Sequence, residues 1–144
     1  MSQTRDAAGL GRVEQAPSAQ RPSNPLTGEE RPWGRFTVLE EGADYKVKRL
    51  EVRAGQRMSL QFHHQRREHW VVVAGIARVT VGAETKLLRA QESADVPRGA
   101  RHRIENPGES LLVIIEVQHG TYLGEDDIVR IEDDYARAEP GQPR

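Results

Sequence analysis

The chain has 144 residues, with 21 basic and 22 acidic side chains and a formal net charge of −1; that length supports one domain with a real core. Near-neutral charge excludes the one-signed basic surface that nucleic acid or an acidic membrane demands, so any anion must be met by a local cluster. The absence of cysteine excludes disulfides and thiolate metal sites. The start MSQTRDAAGLGRVEQ lacks the apolar centre of a signal peptide, and nothing approaches an 18-residue apolar run, so no membrane span is expected and a cytoplasmic location is the default.

Residues 1–30 are Ala, Gly, Ser, Pro, Gln and charge, with Leu10, Val13 and Leu26 as aliphatic anchors. Such a segment cannot offset its ordering entropy by burial and reads as a flexible arm. From Arg31 onward the apolar period is mostly two. The runs RFTVLEE, YKVKRLEV, RMSLQF, HWVVV, IARVTV, TKLL, SADVP, HRIEN and LLVIIEVQ follow one another in chain order. They are punctuated by Gly42, Gly55, Gly75, Gly82, Gly99 and Gly108. This predicts an all-β barrel or sandwich with no long amphipathic helix. The acidic GEDDIVRIEDDY reads as a helical turn or a final strand, and residues 138–144 as a flexible tail.

One stretch departs from the apolar pattern: LQFHHQRREHW, Leu60 to Trp70. If MSLQFH is a strand, Gln61 and His63 share a face, about 7 Å apart by strand rise. Glu68 follows after room for a turn and shares its face with Trp70 and Val72. His102 comes just after the Pro97 and Gly99 turn, where a strand re-enters the sheet. A glutamine oxygen, two imidazoles and a carboxylate carry one negative charge between them, so a divalent ion held there keeps net positive charge and can act as a Lewis acid. The ligand types suit Zn²⁺ and leave Co²⁺, Mn²⁺, Ni²⁺ and Fe²⁺ open. The subset His63, Glu68 and His102 is also the ligand set of non-haem Fe(II) oxygenases, which stands as an alternative, although Gln61 as a fourth ligand would fill a position that chemistry keeps open.

The spacings Gly55-x5-Gln61-x-His63-x4-Glu68-x6-Gly75 and Pro97-x-Gly99-x2-His102-x3-Asn106 resemble the two cupin motifs, with Gln61 where the first more often has histidine. More widely, Arg31 to Arg137 resembles the type II mannose-6-phosphate isomerase cupin, which commonly forms the C-terminal part of bifunctional mannose-1-phosphate guanylyltransferase/mannose-6-phosphate isomerases. The resemblance implies a single double-stranded β-helix, or jelly-roll, over residues 31–137. It implies a divalent metal on Gln61, His63, Glu68 and His102, and interconversion of mannose 6-phosphate and fructose 6-phosphate through an enediol, a supply of mannose for nucleotide sugars and polysaccharide. No Gly-rich nucleotide loop appears, so guanylyl transfer is not expected. Two positions depart from the family pattern: Gln65 replaces a histidine and Arg67 a small residue.

That chemistry needs positive charge for developing oxyanions and a base. Arg66 matches the motif's arginine and is the first candidate for phosphate or the intermediate. Lys48 can share substrate binding, and Arg130 in EDDIVR is a second guanidinium. Glu116, inside LLVIIEVQ, is the candidate base, because burial raises a carboxyl pKa toward neutrality. His64 is a further catalytic candidate if the chain turns beside His63. Trp33 and Trp70 are assigned to packing, and His69 and His119 to no role. The partners expected are a small sugar phosphate and, through edge-strand pairing, a second copy of the chain. The lost imidazole at position 65 also motivates a second reading, a sugar-phosphate-binding cupin or partner subunit without turnover.

Overall fold

The computed structural model describes residues 27–135. Eleven strands run in chain order among them: β1 (Thr27–Arg31), β2 (Gly34–Glu41), β3 (Tyr45–Val52), β4 (Leu60–His63), β5 (Arg66–Ala74), β6 (Ala77–Val81), β7 (Glu84–Leu88), β8 (Ser93–Val96), β9 (His102–Glu105), β10 (Leu112–Gly120) and β11 (Ile128–Glu132). A single 3-10 turn at Glu125–Asp127 leads into β11, so the acidic segment is both a helical turn and a strand. Two antiparallel sheets result, ordered β1-β2-β3-β10-β5-β8 and β11-β4-β9-β6-β7, the double-stranded β-helix expected from the resemblance.

The alternation explains the burial. On β5 the exposure pattern puts Arg66, Glu68, Trp70 and Val72 inward and Arg67 outward, as a period of two requires. On β3 the inward set is Lys48, Leu50 and Val52. Between the sheets lies one apolar core that includes Trp33, Phe36, Leu50, Val52, Trp70, Val72, Val79, Ile104, Leu112 and Ile114. Gly75 makes the β5–β6 corner at φ +88°, and a Cβ there would lie 2.9 Å from the Leu111 carbonyl oxygen. Only glycine combines that backbone with that approach.

Strand register then grades the inner face of the larger sheet. Phe36, Leu50, Ile114 and Val72 form one cross-strand row. The next row inward is Lys48, Glu116 and Trp70, and the one after it carries Gln118 and Glu68. On the smaller sheet Arg130, Gln61 and His102 fall on one row. One end of the sandwich is therefore apolar and the other polar.

Two expectations need correction. Thr27–Glu30 were placed in the flexible arm, yet they pair with β2 from Thr27↔Val38 to Arg31↔Gly34. TGEER carries no apolar alternation, and it is a strand through its partner's backbone. In RMSLQF the strand begins only at Leu60, because Met58 and Arg57 belong to the approach loop, where the Met58 N–H donates to the Ile104 carbonyl. The rest of the expected arm, and the tail, lie outside the described residues. No helix among the described residues is long and apolar enough to cross a membrane.

Candidate metal centre and its anion pocket

At the polar end His63, Glu68 and His102 meet, each buried, with one ligand atom apiece and all three atoms within 4.8 Å of one another. Glu68 Oε2 lies 3.5 Å from His63 Nε2 and 3.5 Å from His102 Nε2. β4 and β5 deliver the first two across a two-residue loop, and β9 delivers the third. One backbone bond and the Asn106 side chain fix this placement. The Gly99 N–H donates to the His63 carbonyl at 2.9 Å, which ties the loop before His102 to the first histidine. Asn106 Nδ2 donates to the Val52 and Ser110 carbonyls, and its Oδ1 accepts from the Gly108 N–H, closing the far end of β9.

The residues fit a divalent ion by their hydrogen bonding. His63 Nδ1 donates to the Asp127 carbonyl at 3.2 Å and His102 Nδ1 to the Ala100 carbonyl at 3.0 Å. Both rings thereby present the Nε2 lone pair to the shared point, the tautomer a metal ligand needs. Burial, first of all, lowers the His63 pKa to about 3 and the His102 pKa to about 4, so both are neutral near pH 7. Glu68 Oε2 and His102 Nε2 are buried polar atoms with no hydrogen-bond partner in the protein, a costly arrangement that an ion would relieve. Gln61 is buried across from His102. Its Oε1 accepts from the Ser59 hydroxyl at 2.9 Å and keeps a second lone pair.

Against this point stands a row of buried charge. Arg66 Nη2 is 3.0 Å from His63 Nε2, its Nε is 3.7 Å from Glu68 Oε2, and its Nη1 is 3.4 Å from Glu125 Oε2. Lys48, although charged, is only 4% exposed; its Nζ is 3.0 Å from the same Glu125 oxygen and lies 4.2 Å from the centre of the Phe36 ring. Glu116 accepts from Trp70 Nε1 at 3.2 Å and from Gln118 Nε2 at 2.8 Å. Burial first, then the charge of Glu68, pushes its carboxyl up to about 8. Arg130 lines the same pocket, together with Arg31, Gln61 and Glu68.

The sequence thus brings together Lys48, Gln61, His63, Arg66, Glu68, His102, Glu116 and Arg130. His64 is not among them. Its side chain is exposed and sits edge-on to Phe62, with ring centres 5.1 Å apart, because no turn intervenes before position 64 to reverse the alternation. Gln65 and Arg67 are exposed too, so an imidazole at position 65 would face away from the pocket. Trp33 and Trp70 are core residues as expected, although Trp70 also serves the site through its Nε1–H. Three contributors were not anticipated: Ser59, Glu125 and Asp127. Asp127 is buried; its carboxylate accepts the backbone N–H of His64 at 3.2 Å and of Gln65 at 2.9 Å, so one residue holds both the loop and, through its carbonyl, the His63 ring. Acidic runs such as EDD give no periodic signal for this role. Glycine enters once more, at Gly120. A Cβ there would lie 2.3 Å from the Gln65 carbonyl oxygen and 3.1 Å from Arg66 Cα.

Comparison with known proteins shows the family and agrees with the fold. Residues 24–133 match the family model described as mannose-6-phosphate isomerase C-terminal. The chain is 54% identical over 107 residues to the mannose-1-phosphate guanylyltransferase ManC of Salmonella typhimurium, spanning 74% of this chain and 22% of that protein. It is 51% identical over 111 residues to the alginate biosynthesis protein AlgA of Pseudomonas aeruginosa, spanning 76% and 23% respectively. The chain therefore matches under a quarter of the length of these relatives. Among solved structures, the capsular polysaccharide assembling protein CapF of Staphylococcus aureus superimposes with a TM-score of 0.68 at 23% identity, over 76% of this chain and 35% of that one. A Klebsiella pneumoniae protein with a double-stranded β-helix domain does so at 0.60 and 21% identity, over 82% and 90%.

Proposed function

Because the chain belongs to the mannose-6-phosphate isomerase C-terminal family, we propose that it is a metal-dependent aldose-ketose isomerase that interconverts mannose 6-phosphate and fructose 6-phosphate. One observation carries the reading. Glu68, one of three buried ligand residues whose atoms lie within 4.8 Å of one another, lines a pocket with two buried cations, Lys48 and Arg66, and with Glu116, a carboxyl of raised pKa. A divalent ion held by His63, Glu68 and His102, with Gln61 as the fourth donor, would supply positive charge where sugar oxygens become negative. Zn²⁺ is the first choice on ligand type; Co²⁺, Mn²⁺, Ni²⁺ and Fe²⁺ suit the same donors.

The chain's own residues do the remaining work. Arg66 lies beside the ligand cluster and meets an enediolate oxygen or the phosphate as a fork of N–H donors. Lys48 binds the phosphate, and Arg130 adds a second guanidinium to the pocket wall. Glu116 takes the proton from C2 and returns it to C1, keeping it on one buried oxygen between the two positions, while the O2 hydroxyl proton passes to O1 so that the carbonyl forms at C2. Its raised pKa suits that exchange near neutral pH. Positive charge placed on Glu68 would remove part of the cause of that shift and favour the carboxylate, the form a base needs.

The reading includes a cytoplasmic location, a small sugar phosphate rather than nucleic acid or membrane as partner, and a homodimer. Its place is in mannose supply to polysaccharide, as the names of AlgA and of the Xanthomonas campestris xanthan biosynthesis protein XanB suggest for those relatives. Guanylyl transfer, which the ManC name carries, is left to the longer relatives. The test is coupled formation of fructose 6-phosphate from mannose 6-phosphate, with metal added back after chelation. Metal-dependent turnover is expected. Binding of mannose 6-phosphate without turnover by fully loaded protein would favour the sugar-phosphate-binding module, and metal-dependent dioxygen consumption the oxygenase.

A further inference from the structure

Two buried cations converge on one oxygen of a half-exposed glutamate side chain. Glu125 Oε2 is 3.0 Å from Lys48 Nζ and 3.4 Å from Arg66 Nη1. Lys48 and Arg66 are each 4% exposed, whereas Glu125 is 45% exposed. The cations form the floor and the carboxylate is the part that faces solvent. Glu125 rides on a three-residue 3-10 turn, a short element held in place by its neighbour Asp127 through the His64 and Gln65 amides.

The cations have other supports. Lys48 Nζ rests over the Phe36 ring, and Arg66 is buried with its Nε 3.7 Å from Glu68 Oε2. If the Glu125 carboxylate swings away, the two heads stay aimed at one point, and that point opens on the same pocket as Gln61 and Glu68. Two buried cations with a half-exposed carboxylate between them form a preorganised anion site that carries its own competitor.

We propose that Glu125 is a displaceable internal counter-anion, holding Lys48 and Arg66 in position until a phosphate dianion takes its place. The proposal rests on the sugar-phosphate reading above and deepens it, by naming the residue that sets the threshold for phosphate entry. A dianion offers three oxygens and more charge than a carboxylate, so it can satisfy both cations and still leave Glu125 free to turn to water. A neutral hexose cannot drive the exchange. Glu125 then sets how strongly an anion must pair with the two cations before it enters, whereas a neutral hexose, which pairs with neither, does not compete with it.

The test is calorimetric titration of inorganic phosphate into the full chain, wild type against Glu125→Gln, with thermal melts to verify folding. Removing the competing charge should tighten phosphate binding roughly tenfold and leave binding of unphosphorylated mannose unchanged. Adding Lys48→Met to Glu125→Gln should abolish the gain. Glu125→Ala serves as a second variant should the glutamine protein fold poorly. Phosphate affinity equal to or below wild type in both Glu125 variants overturns the proposal. So does a gain that survives Lys48→Met, or an absence of phosphate binding in every protein. Tightened phosphate binding without isomerisation would remove the enzyme reading and leave this inference standing; isomerisation with unchanged phosphate affinity would do the reverse.

Discussion

Arg66 is the side chain through which the ligand cluster and the anion pocket touch, since its three nitrogens address His63, Glu68 and Glu125 separately. Truncation to Ala should therefore cost roughly 2–4 kcal/mol of transition-state stabilisation, the range for losing an aimed charged donor, while bound metal stays stoichiometric. Arg66→Lys should recover only part, because a point charge cannot span three directions; full recovery in kcat/KM would show that the fork is unnecessary. Glu116 makes a prediction of a different kind. Its folded-state pKa of about 8 lies above the ordinary 4.5, so the stability it contributes is complete below about pH 4.5 and is lost as pH rises toward 8. Glutamine mimics the protonated carboxyl and does not titrate. In chelator, the unfolding free energy of Glu116→Gln relative to wild type, from denaturant titrations, should climb between pH 5 and 8, with a slope no steeper than about 1.4 kcal/mol per pH unit. A gap that is flat or narrows over that range contradicts the assignment.

Between elements, the closest approach near the site is where the end of β10 passes the start of β5. Gly120→Ala would place its methyl 2.3 Å from the Gln65 carbonyl, so the strand must shift and carry Arg66 with it. Overpacking of this kind costs roughly 1–3 kcal/mol, and activity should fall with no reacting group altered; an unchanged melt would mean that the strand end yields freely. This level also shows what the sequence could and could not reveal. A period of two assigns Gln61, His63 and Glu68 to inward faces, but what singled them out together with His102 was the resemblance to the cupin spacings; the structure brings His63, Glu68 and His102 together. Lys48 was ambiguous: alternation put it with Leu50 and Val52, but a buried lysine needs a partner, and its partner Glu125 is 77 residues away. Glu125 itself sits in a run of acids whose pattern points to solvent. β1 escaped notice since TGEER has no apolar stripe and owes its conformation to backbone pairing with β2. His64 was a candidate only if the chain turned beside His63, and its exposed side chain follows the alternation instead.

At the scale of the whole molecule, the β4–β5 hairpin and the distant β9 must pack together before the ligand cluster exists, so an ion bound there would select the folded chain and raise its stability by mass action. Added divalent metal should raise the wild-type melting temperature, whereas His102→Ala and Glu68→Gln should hold no stoichiometric metal and show no rise. All three should remain β-rich by circular dichroism. Equal metal content in either variant would remove these residues as ligands. The grip of Asp127 on the 63–66 loop has a kinetic consequence. The side chains of His64 and Gln65 are bathed in solvent, and amides on such a loop would ordinarily trade their hydrogens with deuterated water quickly. Here each N–H is tied to a buried carboxylate, so neither can exchange until the 3-10 turn lifts. Their deuterium uptake is thus a clock for that turn, and Asp127→Ala should set both amides running at the rate of an open loop.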